Sequence, residues 1–145
     1  MRSRLPPIRV EESIEIGRPP EAVWELVAEP ANDPRWCPKV KSVEPAEERR
    51  WTVLHKPVPL RNPFELTLEQ LDVEPPKRLT LRQEDEVSIF HVEYRLEPSE
   101  TGTRFTQISE FEWKKLPRVM HGTFARGVRR DIRGQLRQLK RLLEA

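Results

Sequence analysis

His55, His121 and Tyr94 are side chains of this 145-residue sequence that could move protons on a bound molecule. Histidine changes charge near neutral pH, and a phenol beside it can donate a hydrogen bond or a proton. The sequence therefore contains the groups for acid–base chemistry, with His55 or His121 acting together with Tyr94. A trio of histidines is not expected, because His91 falls on the outer face of its predicted strand.

Cys37 is the only cysteine and lies in the stretch RPPEAVWELVAEPANDPRWCPKV. It cannot form an internal disulfide, which is typical of a reducing compartment, and no neighbouring histidine activates it as a nucleophile. We interpret it as structural. Trp24 and Trp36 lie on two short predicted helices and are predicted to wedge them against the end of a sheet.

The composition predicts one folded domain over residues 1–145, with 26 basic against 24 acidic side chains and 36% hydrophobic residues. No motif has the spacing of metal ligands, so neither a metal nor a tightly held cofactor is expected. No run of about 18 apolar residues could span a bilayer, and the opening MRSRLPP lacks the apolar stretch of a secretory signal. These features predict a cytoplasmic protein without a transmembrane segment.

Hydrophobic periodicity predicts the order of the elements. IRVEESIEI is a first strand, and Pro19 and Pro20 open a helix that runs through Glu29. A one-turn helix follows, capped by Asn32 or Asp33. Six more strands are predicted at 40–46, 50–56, 63–74, 78–85, 87–97 and 102–113. After Pro117 the spacing changes to that of one long amphipathic helix.

This order, together with the segments RPPEAVWELVAEPANDPRW, VEPPKRLT and VEYRLEPSETGTRFTQISEF, resembles the START-like superfamily (SRPBCC), in its polyketide cyclase/dehydrase and lipid-transport-like branch. The resemblance covers nearly the whole chain. It implies an α+β helix-grip fold, in which a curved seven-stranded antiparallel sheet wraps around the C-terminal helix. It also implies a cavity between sheet and helix that takes a hydrophobic or aromatic small molecule.

Within that fold, the more apolar face of each strand is predicted to turn inward. The candidate ligand-binding residues are Trp51, His55, Leu66, Leu81, Gln83, Phe90, Tyr94, Gln107, Ser109, Phe111, Met120 and Phe124. The polar members either satisfy one another or orient a ligand. The corresponding functions are binding, and possibly transport, of a small molecule, or cyclisation or dehydration of a polyketide-like substrate in the same cavity.

Two features of the last helix leave alternatives open. Its outer side is predicted to carry seven cations, namely Arg126, Arg129, Arg130, Arg133, Arg137, Lys140 and Arg141. These could bind nucleic acid or an anionic membrane surface, or they could pair with acidic strand edges. Nucleic acid is not expected, because no aromatic residues alternate with the cations. Gly127 and Gly134 lie at the edge of the packed side and predict either cavity volume or a close strand contact.

Overall fold

The computed structural model describes residues 8–56, 62–114 and 117–145. Its strands are β1 (Ile8–Ile16), β2 (Val40–Glu47), β3 (Arg50–His55), β4 (Phe64–Glu74), β5 (Arg78–Glu84), β6 (Ser88–Pro98) and β7 (Thr103–Trp113). Its helices are α1 (Pro20–Val27), α2 (Asp33–Trp36) and α3 (His121–Glu144), with 3-10 turns at Pro30–Asn32 and Arg118–Met120. The predicted elements are confirmed, except that α1 ends before Glu29. The opening MRSRLPP lies outside the described residues.

The seven strands form one antiparallel sheet in the order β1-β7-β6-β5-β4-β3-β2. Each strand from β2 to β6 lies beside the strand that follows it in sequence, as is typical of antiparallel sheets, whereas β1 pairs with β7. The turn between β6 and β7 contains Gly102, whose φ of 146° suits glycine, and a Cβ there would lie 2.6 Å from the Ile16 carbonyl oxygen. This approach brings β1 against β7 and completes the predicted helix-grip sheet.

Alternation along the strands turns one face of the sheet toward α3. The buried side chains of this concave face include Val53, Leu68, Leu79, Leu81, Val92, Tyr94, Leu96, Phe105, Gln107, Ser109 and Phe111. Strand pairing places them in rows across the sheet, with Tyr94 opposite Gln107 and Phe90 opposite Phe111. The predicted inward parity of these strands is therefore confirmed.

Helix α3 lies along β1 and over the concave face. Its buried side chains are Ile132, Leu136, Leu139 and Leu143. Glu12 on β1 pairs with Arg133 at 2.9 Å, and Lys140 donates to the Glu15 carbonyl at 2.7 Å. The buried stripe is narrower than the predicted packed side, because Met120 and Phe124 are exposed.

Gly127 and Gly134 do not face the sheet. At about 100° per residue they lie about 150–170° away from the middle of the buried stripe of α3. A Cβ added at either position would meet no atom within 4 Å. The prediction that these glycines leave volume between helix and sheet is therefore wrong, and so is the alternative of a close strand contact.

The two short helices close the end of the sheet. Helix α1 buries Val23 and Leu26, while α2 buries Asp33 and Trp36. Neither predicted cap of α2 operates: Asn32 holds the N-cap position without a side-chain cap bond, and its amide instead donates to the Leu26 carbonyl at 3.3 Å. Asp33 lies in the first turn, where its side chain turns into the interior.

Candidate functional site

Tyr94, Gln107 and Ser109 form a polar group on the concave face of β6 and β7. Gln107 donates from Nε2 to Ser109 Oγ at 3.5 Å, and all three residues are buried. The Gln107 Oε1 atom is buried and has no hydrogen-bond partner among the described residues. An unmatched buried acceptor costs about 1–3 kcal/mol, so a donor supplied from outside the chain would be favourable here.

Aromatic rings continue from this polar group toward the start of α3. Phe90 and Phe111 stack with centroids 4.8 Å apart, and Trp113 packs edge-on against Phe111 at 5.0 Å. Trp113 in turn contacts Phe124 at 5.3 Å and His121 at 5.2 Å. We call Phe90, Phe111, Trp113 and Phe124 the aromatic ladder. It leads from the buried face to Phe124, whose side chain is 42% exposed.

Asp33 is a buried acid at the opposite end of the concave face, and sequence reasoning missed it. It is 6% exposed, and burial, aided by the nearby charge of Glu29, raises the pKa of its carboxyl to about 8. Asp33 is therefore largely uncharged at neutral pH and can donate a hydrogen bond. The overlooked signal was its spacing: Asp33 precedes Trp36 by three residues and so shares its inward helix face.

The surroundings of Asp33 are aromatic. Trp36 contacts Tyr94 at 5.7 Å and Phe105 at 6.3 Å between ring centroids. Burial raises the pKa of Tyr94, and the charges of Asp33 and Cys37 raise it further. Burial also raises the pKa of the Cys37 thiol, so this cysteine lacks the thiolate character of a nucleophile. We call Asp33, Trp36 and Tyr94 the acidic pole.

His55 occupies a different part of the sheet from Tyr94. It contacts Phe64 at 5.3 Å, its Nδ1 is buried without a hydrogen-bond partner in the described part of the chain, and burial lowers its pKa. Strands β4 and β5 separate it from β6, a spacing of about 14 Å across the sheet. His121 lies at the Trp113 end. The structure thus brings neither histidine to Tyr94, which corrects the predicted histidine–tyrosine pair.

The remaining candidate residues lie on the same face of the sheet or at the start of α3. Leu81 is buried in the core, whereas Trp51, Leu66 and Phe90 are half-buried against it. Gln83 is half-buried, and it lies opposite Leu68 on β4 and Phe90 on β6. Met120 is 43% exposed beside the first turn of α3. As ligand-binding residues, all of these stay predictions.

The surface of the described residues includes two open grooves. The first has a volume of about 660 Å³ and is lined by the last turns of α3, from Arg137 to Ala145. The second, of about 370 Å³, lies between the Glu74–Arg78 turn and the end of β6. Neither lies between α3 and the concave face, so the predicted interior pocket stays a prediction.

Residues 8–56, 62–114 and 117–145 contain neither a cluster of metal ligands nor a membrane-spanning helix. No group of three or more histidine, cysteine or acidic side chains there is arranged to hold a metal ion. No helix in the same ranges is long and apolar enough to cross a bilayer.

Solved structures share this arrangement. The Zhui aromatase/cyclase from Streptomyces sp. R1128 superimposes with a TM-score of 0.78 at 15% identity, covering 95% of this chain and 94% of the other. A protein from Chromobacterium violaceum gives 0.74 at 17% identity, covering 94% and 98%. One from Thermus thermophilus gives 0.72 at 19% identity, covering 94% and 95%. At such identities the likeness concerns the fold alone.

Sequence comparison identifies the family. A search of curated proteins gives no significant match. The family model described as polyketide cyclase / dehydrase and lipid transport matches residues 7–144, which is nearly the entire chain. The confirmed helix-grip sheet agrees with that match. This chain is therefore a member of the polyketide cyclase/dehydrase and lipid transport family.

Proposed function

We propose that the protein binds an amphipathic small molecule with an aromatic body between α3 and the concave face of the sheet. The observation that carries this proposal is the aromatic ladder, which leads from the exposed Phe124 toward Gln107 Oε1, a buried acceptor without a partner among the described residues. Small-molecule sites typically combine an apolar lining with a few such polar groups. The family description, which names polyketide and lipid chemistry, supports the same class of ligand.

The ladder and the polar group define the orientation of the ligand. Phe90 and Tyr94 are four residues apart on β6, so about 13 Å separates them along the strand. A fused aromatic ring system would pack against Phe90 and Phe111, with its far end at Tyr94 and Gln107. A hydroxyl at that end would donate to Gln107 Oε1, the acceptor without a partner in the described ranges.

The walls complete the proposed site. Leu66, Leu81 and Trp51 supply apolar surface on the side of β3 to β5, and His55 and Gln83 supply polar edges. Met120 and Phe124 stand at the entrance beside the start of α3. Burial of apolar ligand surface would contribute about 25 cal/mol per Å² to this binding before the costs of association.

Substitution Ser109→Leu tests the site directly. Ser109 is buried between the acidic pole and the aromatic ladder, so a leucine there would occupy the space proposed for the ligand. We expect the affinity for the environment-sensitive dye anilinonaphthalene sulfonate to fall at least about tenfold. Fluorescence titration measures it, after circular dichroism confirms that the variant is folded.

Gly134→Leu is the matched control, because it adds the same side chain on the opposite side of α3. This variant should bind the dye as the native protein does. Equal affinity in the native protein and both variants would place the dye elsewhere and would contradict the proposed site. Native mass spectrometry of freshly purified protein would then show whether any small molecule copurifies.

A second candidate function is acid–base catalysis on the same ligand, and the acidic pole favours it. A neutral carboxylic acid at Asp33 can donate the proton of one oxygen to the hydroxyl of a β-hydroxy ketone while its other oxygen accepts the proton of the carbon next to the carbonyl. The C–H electron pair forms the new double bond as the C–O bond breaks, so that water leaves and the neutral acid is restored. Tyr94, whose pKa is raised, remains protonated and donates a hydrogen bond to the carbonyl oxygen.

Substitution Asp33→Asn separates catalysis from binding. If the acidic pole is catalytic, dehydration of an aromatic β-hydroxy ketone by the native protein should slow by about 10²–10⁴-fold in the variant. The affinity for the dye should stay the same. Ultraviolet absorbance of the conjugated product measures turnover. Absence of turnover in the native protein, or equal rates in both proteins, would leave binding as the function.

A further inference from the structure

The outer side of α3 carries arginines that have no ion-pair partner within the described ranges. Of the seven predicted surface cations, Arg129 and Arg133 pair with Glu12, and Lys140 pairs with Glu144. The other four, Arg126, Arg130, Arg137 and Arg141, form no described ion pair. At about 100° per residue these four fall within an arc of about 60° and extend for about 22 Å along the helix.

Exposed apolar side chains lie at the N-terminal end of the same surface. Val119 is 88% exposed and Met120 is 43% exposed, in the 3-10 turn that leads into α3. Phe124 follows on the first turn of the helix. These three exposed apolar side chains neighbour one another, and contiguous exposed apolar patches mark interaction sites.

Gly127 and Gly134 lie on α3 between the arginine stripe and the side of Met120 and Phe124. A Cβ at either glycine would meet nothing within 4 Å, so the helix backbone is accessible along this line. A flat partner could approach the helix closely there, with cations on one flank and apolar side chains on the other. We call Arg126, Arg130, Arg137 and Arg141, together with Val119 and Met120, the docking surface.

We propose that the docking surface binds the anionic surface of a lipid membrane. The arginines would lie at the level of the lipid phosphates, and Val119 and Met120 would insert into the apolar boundary below them. The arginines alone could also bind nucleic acid. Nucleic-acid phosphates, however, make no favourable contact with exposed valine and methionine side chains. Since Phe124 ends the aromatic ladder, the surface lies beside the entrance of the proposed ligand site.

The proposal predicts binding to vesicles with a particular composition and salt dependence. In a flotation assay at low salt, the native protein should bind vesicles containing about one third phosphatidylserine and should not bind pure phosphatidylcholine. Replacing the four arginines by glutamine should weaken binding about a hundredfold or more, because each cation near an anionic surface contributes roughly a factor of five. The double variant Val119→Ser and Met120→Ser should weaken it by about tenfold.

A charge-matched control distinguishes the surface from net charge. Replacing Lys41, Arg49, Lys77 and Arg104 by glutamine removes the same charge from other exposed positions. Binding by this variant should stay within about threefold of the native value, since cations away from the membrane contribute little. Equal losses in both charge variants would overturn the proposal, as would equal binding to pure phosphatidylcholine.

Other partners give different results. Retention of single-stranded RNA that is lost with the four arginines but not with Val119→Ser and Met120→Ser, without vesicle binding, would overturn the proposal in favour of nucleic acid. A dimer by light scattering that the double serine variant dissociates, again without vesicle binding, would overturn it in favour of a second copy. The Ser109→Leu variant should bind vesicles normally, so that failure of the ligand site does not affect this test.

Discussion

Substitution Asp33→Asn is expected to raise the free energy of unfolding at pH 8 by several kcal/mol and to leave it almost unchanged at pH 4. Asp33 is buried on α2, and burial raises the pKa of its carboxyl from 3.8 to about 8. Asparagine has nearly the same shape as the protonated acid and does not titrate. The variant therefore keeps the packing of the native residue, but it does not have to bind a proton on folding.

The sign follows from proton binding. Between pH 4 and pH 8 the folded chain keeps a proton on Asp33 that the unfolded chain releases. The contribution of Asp33 to the stability of the native protein must then fall as pH rises, by at most about 1.4 kcal/mol per pH unit, or roughly 5–6 kcal/mol over the interval. Below pH 4 both states are protonated, so native protein and variant should agree there.

Urea denaturation followed by circular dichroism at several pH values measures the effect. Asp72→Asn is the matched control, because Asp72 is exposed on β4, where an amide oxygen can still accept the hydrogen bond from Thr80. Its stability should follow the native pH dependence. Parallel pH profiles for Asp33→Asn and the native protein would show that the carboxyl is ionised in the fold, which would also remove the basis for an acid at this position.

Substitution Trp36→Ala is expected to lower the free energy of unfolding by about 3–5 kcal/mol. Trp36 is fully buried beneath Tyr94 and Phe105, so its removal leaves a cavity at the end of the sheet. Because its Nε1 has no hydrogen-bond partner in the described part of the chain, Trp36→Phe loses volume without losing a bond. That variant should show less than half of the alanine effect.

Trp24→Ala provides the comparison. Trp24 is only half-buried against the core, so its loss should cost clearly less than that of Trp36. Urea unfolding monitored by far-ultraviolet circular dichroism avoids the change in tryptophan fluorescence. Equal costs for Trp36→Phe and Trp36→Ala would mean that the indole nitrogen holds a partner, such as an ordered water or a bound ligand. Equal costs for Trp24→Ala and Trp36→Ala would contradict the packing role assigned to α2.

The ligand site and the docking surface meet at the start of α3. Phe124 belongs to the aromatic ladder, while Val119 and Met120 lie just before it in the chain. A protein docked on lipid in this manner would present its proposed ligand entrance to the apolar layer. An amphipathic ligand could then exchange between bilayer and protein without crossing water, which would reduce the cost of exposing its apolar surface.

Much of the fold is determined by local pattern, which is why the sequence predicts it. Alternating residues in β4, β6 and β7 mark which side chains face inward, and prolines mark where helices begin and end. The apolar residues after Pro117 recur once per helical turn, and this spacing likewise requires a helix with one buried side. Family membership also follows from the sequence. The order of the elements and segments such as VEYRLEPSETGTRF resemble the family, and the family model matches nearly the whole chain.

Only the tertiary structure decided which of these side chains meet. Asp33 is predicted as a helix cap from its neighbours in sequence, but Trp36 packs α2 against Tyr94, and the burial of Asp33 beside it raises the pKa of the carboxyl so that it stays protonated. His55 and Tyr94 share an inward face by pattern, yet the strand order separates them. The orientation of the glycines and arginines of α3 was decided in the same way, because periodicity fixes the relative angles of residues on a helix but not which angle faces the sheet.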